Sequence, residues 1–458
     1  MSSNESENER YEMLVNGDIH KVIPRLAVPT IISMMVSAIY NMADTFFVSQ
    51  LGTSASGAVG VIFSAMSIIQ ALAFMIGMGS GNYMTRSLGA GKRELAEQIV
   101  SIAFFTGIIM GLVITVSATF NIHRVVLLLG ATETIAPYAE AYAHYIFIAA
   151  PFMICSFIMN NLLRFQGKAS FAMVGITVGG LLNIALDPLF IFTLDMGTAG
   201  AALATGLSQF ISFCILLWMC NHQDSCISIS IRKFRPKLAI YREVLYGGIP
   251  SLGRQGIASV ATILMNFMCQ PYGDAAIAAM SIVSRFMFFI NSVIIGFGQG
   301  FQPVCSYCFG AGLYDRVKKA CWFCIRVSTI ILLVLSVISF PAARSIITLF
   351  RRNDPTVIEI GTLALRLQLI TLPLQGAVIM GNMMPQSIGY GFRATLVSTA
   401  RQGIFLIPLL TIMTYTIGLL GIQCAQPLAD IATFILSLFV IRGIFKEFPE
   451  DASSFAAQ

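Results

Sequence analysis

An aspartate inside an apolar stretch of membrane-spanning length is expensive to keep, so each one is a candidate for function. Three carboxylates of this chain fit that description: Asp44, Asp187 and Asp430. Tyr40 stands four residues before Asp44 and Asn183 four before Asp187, so on helices each pair shares a face. With a rise of about 1.5 Å per residue, both aspartates sit a few residues short of the outer end of their stretches. Thr205 lies at similar depth, about two turns inside the next stretch. The result is two carboxylates, an amide, a phenol and a hydroxyl. Such an all-oxygen set suits a proton or a hard cation such as Na⁺ and not a soft transition metal, and no metal centre is expected. Two carboxylates in one dry site cannot both carry charge cheaply, which suits the pair to exchanging a proton.

The elements that must position these residues follow from composition. Of 458 residues, 56% are hydrophobic and only 11% are charged. A soluble chain of this size would need far more charge to cover its surface. Stretches of roughly 20 apolar residues, enough to cross the hydrocarbon, begin near Leu26, Gly57, Ala96, Tyr138, Ser170 and Gly197. They resume near Leu245, Ala278, Ala320, Ile358, Phe392 and Gly418, making about twelve spans. Met1 to Asn16 is polar and acid-rich, so the first span itself is expected to direct insertion. The organisation expected is a tail over 1–20, a first lobe over 21–220, a polar connector over 221–242, a second lobe over 243–443 and a tail over 444–458.

Basic residues orient the spans. With the amino terminus inside, most Lys and Arg fall on the cytoplasmic side, among them Arg10, Lys21, Arg86, Lys92, Arg93, Lys168, Lys233 and Lys318. Only Arg124, Arg344, Arg351 and Arg352 fall outside. Both termini are therefore expected in the cytoplasm. The net charge of +6 is scattered over many loops, which argues against nucleic acid as a partner.

Pro29 and Pro250 set a constant shift of 250 − 29 = 221 between the two halves. At that shift Gly52 meets Gly273, Gly77 meets Gly298, and Gly89-Ala-Gly91 falls on Gly310-Ala-Gly312. Asn161 meets Asn382, Phe171 meets Phe392 and Gly197 meets Gly418, without a gap. Each half holds an even number of spans, so the repeat is parallel. The expected fold is an all-α membrane protein of two homologous six-helix lobes, related by a pseudo-two-fold axis along the membrane normal, with a cavity between them. Asp430 pairs with Gln209 in this alignment, so the architecture does not require a carboxylate there and it ranks second to Asp44 and Asp187.

Other signals carry less. Ser87-Leu-Gly-Ala-Gly-Lys92 lacks phosphate-loop spacing and fits a tight turn. Cys305-x-x-Cys308 and Cys321-x-x-Cys324 approach zinc-ribbon spacing, but their repeat partners are Met84, Ser87, Val100 and Ala103, so packing is the better reading. Met34 and Ser37 continue the Asp44 face, and with Asn160 and Arg254 they are the residues expected to line a substrate cavity. Met380, Met383 and Met384 fit packing better than ligand binding. Arg285, Arg366 and Arg401 are expected to snorkel or to bond carbonyls between helices. No HExxH or GxSxG occurs, and an intramembrane enzyme is not expected.

Asn41-Met-Ala-Asp44 with Leu51-Gly52, Leu88-Gly-Ala-Gly91, Leu182-Asn-Ile-Ala-Leu-Asp-Pro188, and Gly298-Gln-Gly-Phe-Gln-Pro303 with Gly310-Ala-Gly312 resemble the MATE (multidrug and toxic compound extrusion) family. The resemblance covers nearly the whole chain and is greatest to the prokaryotic DinF-like and MepA-like members. It implies a cation site in the first lobe at Tyr40, Asp44, Asn183, Asp187 and Thr205. The NorM-like branch places key carboxylates in the seventh and tenth spans. Here Leu245 to Gln270 holds no acid, and Glu359 lies only at the edge of span ten. The resemblance further implies a monomeric, cofactor-free antiporter in the plasma (inner) membrane of a prokaryote. It would export small amphiphilic, cationic drugs by alternating access in exchange for H⁺ or Na⁺, amid membrane lipids. A flippase for a lipid-linked precursor and a dedicated metabolite exporter are the alternatives.

Overall fold

The computed structural model describes residues 12–221, 229–350 and 354–449. Arg10, Arg351, Arg352, the outer parts of both expected tails and residues 222–228 of the expected connector lie outside them. Among the described residues all regular structure is helical. Lipid offers no hydrogen bonds, so a spanning backbone must satisfy itself within its own helix. Helical hydroxyls do the same here: Thr30, Ser80 and Thr433 each donate to the carbonyl four residues back, at 2.9, 2.6 and 2.7 Å.

The first six spans are α1 (Ile19–Ser49), α2 (Thr53–Gly89), α3 (Arg93–Phe120), α4 (Ala136–Phe165), α5 (Ala169–Thr193) and α6 (Gly197–Asn221). A short helix, Ile122–Leu128, precedes α4. The others are α7 (Leu238–Cys269), α8 (Asp274–Gly310), α9 (Tyr314–Phe350), α10 (Pro355–Ile388), α11 (Gly391–Ile417) and α12 (Leu419–Glu447). Eleven of these twelve are long and apolar enough to cross a membrane. The remaining one, α7, has the length at 32 residues but carries Arg242, Glu243 and Arg254.

The chain divides into two compact units between Gly248 and Ile249. In the first, α4 is the core helix: 83% of its spanning window is buried, against 33–44% for the unit's other five spans. Small residues let its neighbours close on it. At Gly111 of α3, a Cβ would run into the backbone of Pro151 on α4. The second unit has its own apolar core, drawn from α8, α9, α10, α11 and α12 through residues such as Ile294, Leu332, Leu369, Leu410 and Ile422.

The described part of the connector is not a free tether. Lys233 pairs with Glu97 at 2.7 Å, Tyr241 bonds Thr106 at 2.9 Å, and Phe234 packs on Phe105 with ring centroids 5.3 Å apart. Helix α7 already begins at Leu238, and its first turns belong to the first unit.

The repeat holds, but not in one unbroken register. Glycines with positive φ mark equivalent turns: Gly52 and Gly273, Gly91 and Gly312, and Gly197 and Gly418 are each 221 apart. Gly167 and Gly389 are 389 − 167 = 222 apart. The expected match of Asn161 with Asn382 is therefore corrected. Asn160 donates to Ala172 O and Asn382 to Ala394 O, both at 2.9 Å, so Asn160 is the true partner. By the same offset Phe171 does not match Phe392. One extra residue enters the second half before Pro373, the counterpart of Pro151, and the original shift returns by Gly418. Helical stretches of wider turn, Leu189–Thr193 in α5 and Ala400–Phe405 in α11, lie where that register is recovered.

Candidate functional site

Helix α1 carries Tyr40 and Asp44 against α5. The approach depends on Gly180, where a Cβ would stand 3.0 Å from Val36 and 3.1 Å from the Tyr40 ring. Asn183 and Asp187 follow one and two turns along the same face of α5. Asp187 is fully buried and Asn183 nearly so. Pro188 comes next and has no N–H to continue the ladder, and the backbone opens into the wide turn Leu189–Thr193.

Asn183 is the hinge of the cluster. Its Nδ2 donates to Asp187 Oδ1 and to Thr205 Oγ1 of α6, both at 3.2 Å. Tyr142 of α4, also fully buried, stands beside Asp44 and Thr205, and its hydroxyl donates to Met66 Sδ at 4.0 Å. Four helices thus bring the five expected residues together, with Tyr142 as a sixth. Sequence reasoning missed Tyr142 because it searched only carboxylates and their neighbours one turn away. Its depth, about two turns inside the start of α4, was the available signal.

The site is rich in acceptors and short of donors. Asp44 Oδ1, Asp187 Oδ2 and Asn183 Oδ1 are buried without a hydrogen bond from any described residue. A buried acceptor left unpaired costs about 1–3 kcal/mol, more for a charged group. A small hard cation could be coordinated by such oxygens, and a proton taken up by one carboxylate would turn that acceptor into a donor for a neighbouring one. No group of three or more His, Cys, Asp or Glu among the described residues has the geometry for a metal ion.

Asp430 lies elsewhere, in the second unit, and its surroundings are opposite in kind. Both of its oxygens are used. Oδ1 accepts from Arg401 Nε at 2.7 Å and from Gln426 at 3.0 Å, and Oδ2 accepts from Gln375 at 3.0 Å. The expectation that Arg401 snorkels or bonds carbonyls is overturned: it is the counter-charge of Asp430, from a position 29 residues away. Arg366 stacks over Phe340, 5.4 Å from the ring centroid.

Met34 and Ser37 are half-buried on α1, and Ser37 O accepts from Asn41 at 2.7 Å. Arg254 is half-buried on α7, with no hydrogen bond or ion pair to any described residue. Asn160 is buried, and its Nδ2 donates to Ala172 O, tying α4 to α5. Met380, Met383 and Met384 are wholly buried packing residues. The cysteines of the two C-x-x-C motifs, Cys305, Cys308, Cys321 and Cys324, are buried and in no disulfide among the described residues. Gly91, with φ +72, makes the tight turn expected of the Gly-Ala-Gly loop, as Gly312 does at φ +76.

A model of the MatE family matches residues 29–189 and again 250–412, so the two matched segments start 221 residues apart. The multidrug export protein MepA of Staphylococcus saprophyticus is 27% identical over 435 residues, covering 95% of this chain and 96% of its own. That of Staphylococcus haemolyticus is 26% identical over 439 residues, covering 96% of each. A solved outward-facing structure of a multidrug resistance MATE family transporter of the MOP superfamily superposes with a TM-score of 0.90 at 27% identity, covering 94% of this chain and 97% of that one. With both halves matched and the relatives aligned almost end to end, the chain belongs to the MatE family and is a multi-pass membrane transporter, not an enzyme.

Proposed function

We propose that this protein is an ion-coupled exporter of amphiphilic, cationic compounds, exchanging them for H⁺ or Na⁺ by alternating access. The observation that carries the coupling reading is the set of three unpaired acceptor oxygens on Asp44, Asp187 and Asn183. A proton or Na⁺ taken there relieves two carboxylates that share a dry site. Asn183 spans Asp187 and Thr205, so a change of charge on α5 is felt on α6. Pro29 inside α1 and the wide turn after Pro188 supply backbone freedom for the helices to respond. Identical α1 geometry in protonated and deprotonated states would count against that last step. The names of the staphylococcal relatives support a multidrug substrate range. The basic residues of the loops support cytoplasmic termini in the plasma membrane of a prokaryote. A monomer is sufficient, since one chain supplies both halves of the repeat.

The test is dye efflux from proteoliposomes under a pH gradient and a Na⁺ gradient imposed separately, for wild type and Asp187→Asn. Efflux driven by one gradient and lost in the variant supports coupling at this site and names the ion. Undiminished coupled efflux in the variant removes Asp187 from the mechanism.

A further inference from the structure

The ion pair of the second unit is half closed. Asp430 is 1% exposed and fully paired, whereas the Arg401 side chain is 22% exposed and engages it only through Nε. A pair built only for stability would usually close fork to fork, with two parallel N–H bonds onto the carboxylate. Here the terminal edge of the guanidinium, Nη1 and Nη2, makes no hydrogen bond to any described residue. That edge is the one whose geometry matches a second oxyanion. Asp430 then acts as the fixed counter-charge that orients it.

Two further observations point the same way. Arg401 sits in the wide-turn stretch Ala400–Phe405, and such turns within helices recur at functional sites. Helix α7 packs on this stretch, Gly253 against Thr399 and Ile257 against Gly403, and carries Arg254, which bonds no described residue, one position from that contact. Two arginines against one aspartate leave this part of the second unit with an excess positive charge.

We propose that Arg401 is a specificity-determining residue that receives a carboxylate on the transported amphiphile, so that zwitterionic compounds are preferred over purely cationic ones of the same shape. The inference rests on the exporter reading above, but its test is a binding measurement that needs no ion gradient. A rhodamine ethyl ester carries only the ring cation, and its free acid adds one carboxylate to the same scaffold. Affinities of both for purified protein are read by fluorescence anisotropy. Arg401→Gln alone would strand a buried carboxylate, so the double variant Arg401→Gln/Asp430→Asn is used beside Arg401→Lys, which keeps the charge and loses the fork.

The acid-to-ester affinity ratio is expected to fall about tenfold in the double variant, as for loss of a charge-assisted hydrogen bond. It should fall by less in Arg401→Lys. An unchanged ratio, or equal loss of both probes, overturns the proposal. Displacement of the acid from wild type by short-chain phosphatidylglycerol at lower concentrations than unlabelled acid also overturns it, in favour of a lipid phosphate. Failure of the exporter reading would show separately, as absent gradient-driven efflux of the ester.

Discussion

Asp187→Asn should separate stability from coupling, and the structure sets the size of the effect. In the wild type Asp187 is fully buried and its Oδ2 has no donor. The asparagine amide keeps the shape, removes the charge and adds N–H donors. Two acceptors in the same site, Asn183 Oδ1 and Asp44 Oδ1, lack a donor. At least one new hydrogen bond is therefore available, worth about 0.5–1.5 kcal/mol, beyond the relief of a buried charge. In Na⁺-free buffer at pH 8 the variant should melt above wild type. Wild type should in turn be stabilised by its coupling ion: about 2.7 kcal/mol at a hundredfold excess over the dissociation constant. Thermal unfolding of purified protein in detergent, with and without Na⁺ and at pH 5 and pH 8, reads both effects. The variant should show no ion-dependent shift, and its gradient-driven efflux should be lost. A variant that melts below wild type in ion-free buffer, or that keeps the ion-dependent shift, would refute the argument.

Tyr142→Phe and Thr205→Ala each remove one neutral partner at the edge of the same site. Each should raise the concentration of coupling ion needed for half-maximal efflux by about tenfold while leaving dye binding intact, which titration of efflux against the ion would show. Gly111→Ala should cost about 1–3 kcal/mol, because its Cβ meets the Pro151 backbone. Gly60→Ala, with nothing within 4 Å, should be neutral or stabilising by up to about 1 kcal/mol in the same melting assay. Arg401→Gln should reduce folded yield more than Asp430→Asn, since the first strands a buried carboxylate at a cost of about 3 kcal/mol and the second leaves an arginine that is already partly exposed. Size-exclusion recovery of the two variants checks the order.

The spans, the repeat and the residues of the candidate site were legible in the sequence. Membrane helices satisfy their backbones locally, so hydrophobic length alone marks them, and the expected starts at Gly197, Phe392 and Gly418 fall within one residue of the spans that begin at Gly197, Gly391 and Leu419. Depth along a helix is equally local: counting residues was enough to bring Tyr40, Asp44, Asn183, Asp187 and Thr205 to one level. Turn glycines such as Gly91 and Gly312 were legible because few other residues adopt their φ.

The remaining features depend on how each helix is rotated and shifted against its neighbours, which no spacing within one helix encodes. That rotation puts Tyr142 beside Asp44 and Thr205, and turns Asn160 rather than Asn161 toward the next helix. A one-residue insertion, invisible to a gapless alignment, shifts the pairing of the halves between Pro151 and Gly197. Arg401 and Asp430 lie on different helices, and the wide turn at Ala400–Phe405 changes the direction of the arginine from that of a regular helix. Three apolar-span aspartates look alike as letters. Packing makes one a neutralised partner of arginine and leaves the other two with oxygens that have nothing to bond.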